Sequence, residues 1–385
     1  MSPTDESSDP TGERVRRPFP GENSEPTNPI IPKMFNPKEV AEMKHSKTVL
    51  TLAVILALSL VAAACGDDAE EGPDGPSLIY VTPNPIGVNK FLELGQIGTQ
   101  QVAEELGGTW KTFESTNDSD RRANIEAAID EAPDVIVLTT FTLVELADEL
   151  SKAHPDQEFI LIDTCPDEPA ANLHCGVFRE HEGAYLLGIM AGRLTETKEV
   201  GSVVALDIPF LHRYSDSFAL GAQSVDPSIN DTQVFIGGDN PFSDPARAKE
   251  QALAVAARGA DHIFAVGAGS NGGIFEAAQQ EGFFSYGVDV NQCPEAPGRI
   301  VDNNMKLVDA LVVQLAKAVL DGTAESVVAF GLAERGTGVM ALASDEELAD
   351  SQCLIADHPD IVAEVRAARD AIVNGEIVVP DPLFG

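Results

Sequence analysis

The sequence predicts an α/β fold of two Rossmann-like lobes in tandem, each a parallel sheet covered by helices. Three observations predict it. From Ser77 onward, short apolar runs rich in β-branched residues alternate with amphipathic stretches of helical period, the pattern of parallel strands buried on both faces. The alternation occurs twice, before and after about Val177, so the two halves are expected to be similar. A chain of 385 residues also exceeds one average domain and can bury a core in each half.

In the first half, strands are expected at LIYVT from Leu78, DVIVLTT from Asp134 and EFILIDT from Glu158, with helices over residues 90–106, 119–131 and 143–153. In the second, strands are expected at VGSVVAL from Val200, HIFAVGA from His262 and FSYGVDV from Phe284. Helices are expected there over residues 182–194, 216–224, 245–258, 272–281 and 304–320. Open parallel sheets bind ligands at the carboxyl ends of their strands. Those ends are residues 139–141, Asp163, 207–210, 267–271 and Asp289.

The segment before the body carries an export signal. Met43 opens a basic stretch (Lys44, His45, Lys47), an apolar run follows from Val49 to Ala64, and Cys65 comes after small residues. The run VILALSLVAAAC ends like a lipobox, in which the Cys65 thiol receives a diacylglycerol and becomes the first residue of the mature chain. The run is short for a spanning helix, at about 16 residues against the roughly 20 needed, and Gly66, Asp67 and Asp68 follow at once. Residues 1–42 are polar, proline-rich and without periodicity, so they are expected to be disordered or to precede the true start at Met43. Residues 43–64 are then the signal peptide and 65–76 an extended, acidic tether.

Acidic residues number 62 against 25 basic, a formal charge of −37, which excludes a surface that tracks nucleic acid or anionic lipid. Contact with a membrane is expected only through the lipid. Four cysteines remain after Cys65, an even number suited to an oxidising compartment. Of three connectivities, Cys165–Cys175, closing a short loop with Pro166 and Pro169, is preferred, leaving Cys293 with Cys353. No cysteine pair has the spacing of a zinc knuckle and the histidines do not cluster, so no metal is expected.

Several residues at strand ends carry chemistry. Asp163 and Asp289 each end a strand, where a carboxylate can accept from two hydroxyls of a sugar or cap the following turn. Phe91, Phe141, Phe210, Tyr214 and Phe242 fall in or near loops, where rings either sandwich a flat base or pack internally. GAGSNGG from Gly267 lacks the spacing of a phosphate loop and reads as a tight turn or as a ligand-lining loop through Gly269 and Ser270. Lys306, near the start of the expected last helix, is either a donor to a ligand oxygen or a surface lysine. No G-x-S-x-G elbow, H-E-x-x-H motif or Cys–His pair is present, so neither catalysis nor a cofactor is expected.

Six ordered segments carry a resemblance: EGAYLLGIMAG from Glu182, IPFLHRYSDSFALGA from Ile208, FSDPARAKEQA from Phe242, GADHIFAVGAGSNGGIFEAA from Gly259, GVDVNQ from Gly287 and DNNMK from Asp302. Over about residues 78–380 the chain resembles the basic membrane protein, or PnrA-like, family of bacterial lipoproteins, which includes purine nucleoside receptors of ABC importers. The resemblance implies a type I periplasmic-binding-protein fold, two lobes joined by three crossings that close on a ligand. The first lobe is then expected to hold residues 77–177 with 293–327, and the second 178–292 with 328–385. It also implies a monomeric receptor, tethered outside the cytoplasm, that hands a small polar solute of nucleoside type to a permease and ATPase.

Carried over by position, Phe91 is a stacking ring, Asp163 and Asp289 are polar or ribose contacts, Tyr214 is a second aromatic wall, and Gly269 and Ser270 are loop contacts. Lys306 reaches the cleft from the last crossing. The family's first loop reads like NDKSFNQ. Here it is GVNKFLE from Gly87, with Val88 for the family's Asp and Leu92 for its Asn, which leaves Asn89 as the compensating polar group. The same fold also serves receptors that present a ligand to a membrane signalling protein. A nucleoside hydrolase would need clustered aspartates that this chain lacks.

Overall fold

The computed structural model describes residues 75–383. Residues 1–42, the signal peptide, Cys65 and the tether up to residue 74 lie outside the described residues.

The first lobe is built from β1 (Ser77–Thr82), α1 (Lys90–Glu105), β2 (Thr109–Glu114), α2 (Asp118–Asp130), β3 (Val135–Thr139), α3 (Val144–Ala153), β4 (Phe159–Ile162) and β5 (Leu173–Phe178). The chain then enters the second lobe through α4 (Glu180–Leu194), β6 (Glu199–Val204), α5 (Pro209–Val225), β7 (Asn230–Phe235), α6 (Pro245–Ala256), β8 (His262–Val266), α7 (Asn271–Glu281), β9 (Phe284–Asp289) and β10 (Ile300–Lys306). It returns to the first lobe for α8 (Val308–Leu320) and β11 (Val327–Phe330), and ends in the second with β12 (Thr337–Gly338), α9 (Asp345–Asp350) and α10 (Pro359–Val373).

The sheet orders are β11-β5-β4-β3-β1-β2 and β12-β10-β9-β8-β6-β7. All pairings are parallel except β10 with the two-residue β12. The strand order reverses beside β1 in one lobe and beside β6 in the other, and the crevice left there opens at the strand carboxyl ends. The chain crosses between lobes three times, after Phe178, after Lys306 and after Phe330.

All six expected strands form. Three of those the apolar pattern does not announce, β2, β7 and β10, have physical reasons for silence. β2 and β7 are sheet edges, and their residues are mostly half-buried or exposed, so no apolar run marks them. β10 corrects two expectations: Asn304–Lys306 are strand and not helix, and residues 300–306 belong to the second sheet and not the first lobe. β11 in turn sits wholly in the first sheet, including residues 328–330. The polar residues of β10 are tolerated because each is satisfied. The Asp302 carboxylate accepts from the backbone N–H groups of Met340 and Ala341 at 2.7 and 2.9 Å, and Asn304 donates to the Glu180 carbonyl at 3.0 Å. α5 starts at Pro209, a residue suited to the first helical turn, seven positions before the expected start at 216.

Two disulfides brace the lobes. Cys165–Cys175 fastens the segment leaving β4 to β5, and Cys293–Cys353 fastens the segment leaving β9 to the one after α9.

α4 and α5 approach through glycines: a Cβ on Gly221 would overlap the Tyr185 carbonyl oxygen and lie 2.9 Å from the Gly188 Cα. Gly221→Ala should therefore lower the unfolding free energy by about 1–3 kcal/mol in a urea titration, the usual cost of overpacking. Gly272→Ala, where nothing lies within 4 Å of the added Cβ, should leave stability unchanged or slightly higher. Equal effects at the two positions would mean that the α4–α5 contact is not tight.

Candidate ligand-binding site

A cleft with about 610 Å³ of empty space, part of it open to solvent, lies between the lobes at the strand carboxyl ends. Four of its lining residues, Thr140, Asp163, Ala268 and Asp289, follow or close β3, β4, β8 and β9, and all have positive φ, at 73°, 89°, 50° and 70°. Non-glycine residues held there cost roughly 1–3 kcal/mol each, and such strain gathers at functional sites. The turn it forces lets each residue face the crevice instead of continuing the strand.

At the floor lies Lys306, its side chain 2% exposed. Its Nζ is 2.5 Å from Asp163 Oδ1 and 3.0 Å from Glu180 Oε1. Burial opposes the lysine charge, and the attraction of Asp163, Glu180 and Asp289 outweighs that penalty, so its pKa stands well above the usual value. Asp289 shares this field, but its carboxylate has no hydrogen-bond partner among the described residues. Burial pushes it up to about 6; Lys306 opposes the rise, while Asp163 and Glu180 add to it. Glu180 is also raised by burial. Its second oxygen, Oε2, accepts from Arg213 Nη1 at 3.0 Å.

The walls are aromatic. Phe91, Phe178, Phe210 and Tyr214 place their ring centroids 4.9, 5.1, 5.7 and 5.6 Å from the Lys306 ammonium. Phe141 of the first lobe meets Phe210 and Phe242 of the second at centroid distances of 5.6 and 6.0 Å, so the lobes are closed on each other. At the mouth, Val88 is 69% exposed, and a Cβ on Gly269 would lie 3.1 Å from its Cγ2.

Phe91, Phe141, Asp163, Tyr214, Asp289 and Lys306 thus converge on one cavity, with Asn89 beside them. Asn89 has a structural task as well: its Oδ1 caps α1, accepting from the N–H groups of Phe91 and Leu92 at 3.1 and 3.4 Å, which leaves its NH2 for the cleft. Gly269 and Ser270 do not line the cavity; Ala268 does. The Ser270 hydroxyl is engaged inside its own loop, donating to the Pro241 carbonyl and accepting from the Asp244 N–H, both at 2.7 Å. Lys306 reaches the cleft from the end of β10, at the second crossing and not the last. The lining also includes Thr140, within the strand end 139–141 that the sequence marks, and Asn84, Thr142 and Leu211 of α5, which carry no sequence signal of their own. Glu180 was equally unmarked, an acidic residue in a helical first turn that only the fold brings to Lys306.

Residues 81–381 match the family model described as ABC transporter substrate-binding protein, PnrA-like. The chain belongs to this family. It is a solute-binding protein of an ABC transporter and not an enzyme. This PnrA-like chain is 25% identical over 372 residues to a CD4+ T-cell-stimulating antigen of Listeria innocua, across 88% of its own length and 99% of the relative's. It is 24% identical over 323 residues to an uncharacterized lipoprotein of Pyrococcus abyssi, covering 80% of each. It is 23% identical over 363 residues to an ABC transporter nucleoside-binding protein of Lactococcus lactis, covering 87% and 99%. A solved ABC transporter solute-binding protein of Aeropyrum pernix shares the fold, with a TM-score of 0.68 at 24% identity over 79% of this chain and 94% of that one. The Pyrococcus abyssi relative is a lipoprotein, and among the described residues no helix of this chain is long and apolar enough to cross a membrane.

The Asp289 carboxylate gives a pH test. Its folded pKa of about 6 lies above the ordinary 3.8, so its ionised form costs stability above pH 6, and that cost vanishes as both states protonate below about pH 4. Asp289→Asn should stabilise the ligand-free PnrA-like protein at pH 7 by up to about 3 kcal/mol, at 1.4 kcal/mol per pKa unit. The advantage should shrink to nothing by pH 4 in urea unfolding at pH 7, 5.5 and 4. Asp302, which burial pushes up to about 7, titrates in both proteins and cancels in the difference. A difference that does not change with pH would show that Asp289 is not a strained carboxylate.

Proposed function

We propose that the protein binds a nucleoside-like solute between its lobes and delivers it to the permease and ATPase of its transporter. The observation that carries this reading is the combination of aromatic rings facing each other across the cleft with two strand-end aspartates and one buried lysine. A flat heterocycle is matched by Phe141 on one lobe and Phe210 and Phe242 on the other. A ribose supplies paired hydroxyls, which carboxylates accept with the strength of charge-assisted hydrogen bonds. Asp289 has unused accepting capacity, and Lys306 can donate to a sugar oxygen. The nucleoside-binding relative of Lactococcus lactis supports the same solute class.

Val88 and Leu92 stand where the family's first loop carries two polar groups, so the base is not read there by hydrogen bonds. Thr140, Thr142 and the free amide groups of Asn84 and Asn89 are the donors and acceptors left for its edge. The reading therefore extends to pyrimidine as well as purine nucleosides. Tethering through a diacylglycerol on Cys65, outside the cytoplasm, completes it. Such an anchor keeps a monomeric receptor near its permease.

Calorimetry and thermal shift against nucleosides, free bases, sugars and amino acids test the solute class. A nucleoside at 100 times its Kd should add about 2.7 kcal/mol to stability. Asp163→Asn and Asp289→Asn should each weaken binding by about 10- to 100-fold, the worth of a hydrogen bond to a charged group. Binding of free sugars or amino acids with no response to nucleosides would overturn the assignment. The anchor is tested separately: Cys65→Ala should move the protein from the membrane fraction to the soluble one and abolish labelling by a fatty-acid analogue. A variant that stays in the membrane fraction would sink the anchor.

A further inference from the structure

Asp381 lies in the C-terminal segment, outside the cavity, yet it is the far end of a line of charges that reaches the cleft. Its two carboxylate oxygens accept from Arg213, Oδ1 from Nε at 2.8 Å and Oδ2 from Nη2 at 2.5 Å. Arg213, on α5, is 5% exposed. Its remaining nitrogen, Nη1, donates both to Glu180 Oε2 and to the Phe178 carbonyl, each at 3.0 Å. Glu180 has no exposed surface, and its other oxygen is the one 3.0 Å from Lys306 Nζ. The order Asp381, Arg213, Glu180, Lys306 alternates in sign from a tail residue to the floor of the site.

Arg213 and Glu180 are each oriented by a hydrogen bond with the group before, and Lys306 is held to Glu180 Oε1 by charge at 3.0 Å without hydrogen-bond geometry. A guanidinium is a planar fork, so two bonds from Asp381 fix its plane and therefore the direction in which Nη1 points. Nη1 then holds the Glu180 carboxylate and the last residue of β5, at the first crossing between lobes. The tail is itself seated, because Val379 is buried in the core of the second lobe. His181 is the other basic group near Asp381, at 3.6 Å. Burial lowers its pKa to about 4, so at neutral pH Arg213 alone meets the Asp381 charge.

We propose that Asp381 and Arg213 are positioning residues for the solute site: the C-terminal segment sets Arg213, Arg213 sets Glu180, and Glu180 sets the Lys306 ammonium. The bland reading is that the Asp381–Arg213 pair only fastens the tail. The proposal rests on Lys306 meeting the solute, and the experiment separates failure of that reading from failure of the relay.

Asp381→Asn keeps the size of the side chain and removes its charge; Asp381→Glu keeps the charge. Glu364→Gln breaks the surface pair between Arg193 of α4 and α10, 2.6 Å long, loosening the same C-terminal region without touching the relay. Two quantities are read: the side-chain ammonium resonance of Lys306 in the ligand-free protein, by nitrogen-15 correlation spectroscopy, and the calorimetric Kd for inosine and for uridine. Asp381→Asn should displace or broaden the Lys306 resonance and weaken binding by about tenfold, the scale of coupling within one hydrogen-bond network. Asp381→Glu should restore both towards the parent, and Glu364→Gln should change neither. A Lys306 resonance unmoved in Asp381→Asn overturns the relay, whether or not nucleosides bind. If the parent binds neither nucleoside, the solute assignment fails while the resonance still decides the relay. Should Asp381→Asn not fold, Arg213→Lys, which keeps the charge but cannot span both carboxylates, carries the same two readings.

Discussion

Everything at the cleft depends on one constraint, an ammonium group enclosed between two lobes with almost no access to water. Desolvating such an ion costs several kcal/mol unless carboxylates and hydrogen bonds replace its hydration. The replacements come from three places: Asp163 at the end of β4 in the first lobe, Glu180 at the first turn of α4, and the field of Asp289 at the end of β9. Charge compensation and closure of the lobes are therefore one event, because the strongest partner of Lys306 belongs to the other lobe. The surrounding rings fit the same requirement. Their faces are negative, so they tolerate an ammonium that aliphatic walls would not.

Three carboxylates around one lysine are more than the lysine can balance, and the surplus determines which group is free for a solute. Glu180 is relieved by a second cation, Arg213, and Asp163 holds the shortest contact with Lys306. Burial pushes the Asp289 pKa upward, and among the described residues it has neither a second cation nor a hydrogen bond to offset that. The backbone makes the same selection from another side, since Asp163 and Asp289 both sit at positive φ, where strand geometry is abandoned to aim the side chain. Two independent sources of local strain, electrostatic and conformational, thus coincide on Asp289.

That coincidence also explains what was legible in the sequence. The central strands are apolar on both faces, so β1, β3, β4, β6, β8 and β9 announce themselves, and residues at their ends, Asp163 and Asp289 above all, can be picked out by position. The edge strands β2 and β7 have no apolar run to read. β10 was hidden because IVDNNMK has no apolar run, and its last three residues read as the start of a helix until Asp302 and Asn304 find partners at Met340, Ala341 and Glu180, far away along the chain. Charge pairing is hidden for the same reason. Glu180 with Arg213 and Arg213 with Asp381 are contacts 33 and 168 residues apart, and periodicity carries no information at such range. Gly269 and Ser270 misled in the opposite direction: their motif resembles a ligand loop, yet the Ser270 hydroxyl serves the loop's own backbone.

A receptor must release as well as hold, and the position of the ion pair bears on how it can. Lys306 is the last residue of β10, and the next residue begins the second crossing; Glu180 begins α4 just past the first. Contacts beside a pivot change little in length as two bodies rotate, whereas those far from it open first. The Lys306–Glu180 link therefore lies within the second lobe, beside two of the crossings, and can persist through an opening. Phe141 against Phe242, and Val88 against Gly269, join loops that contain none of the three crossings, and these must part for a solute to pass. Both are apolar contacts, whose strength grows with the area covered and is lost over a short separation, whereas the attraction of an ion pair falls only as the inverse of distance. The Lys306–Glu180 pair thus stays assembled near the hinge, ready for the next solute, while Asp163 withdraws with the first lobe and the mouth opens on hydrocarbon surfaces that separate at modest cost.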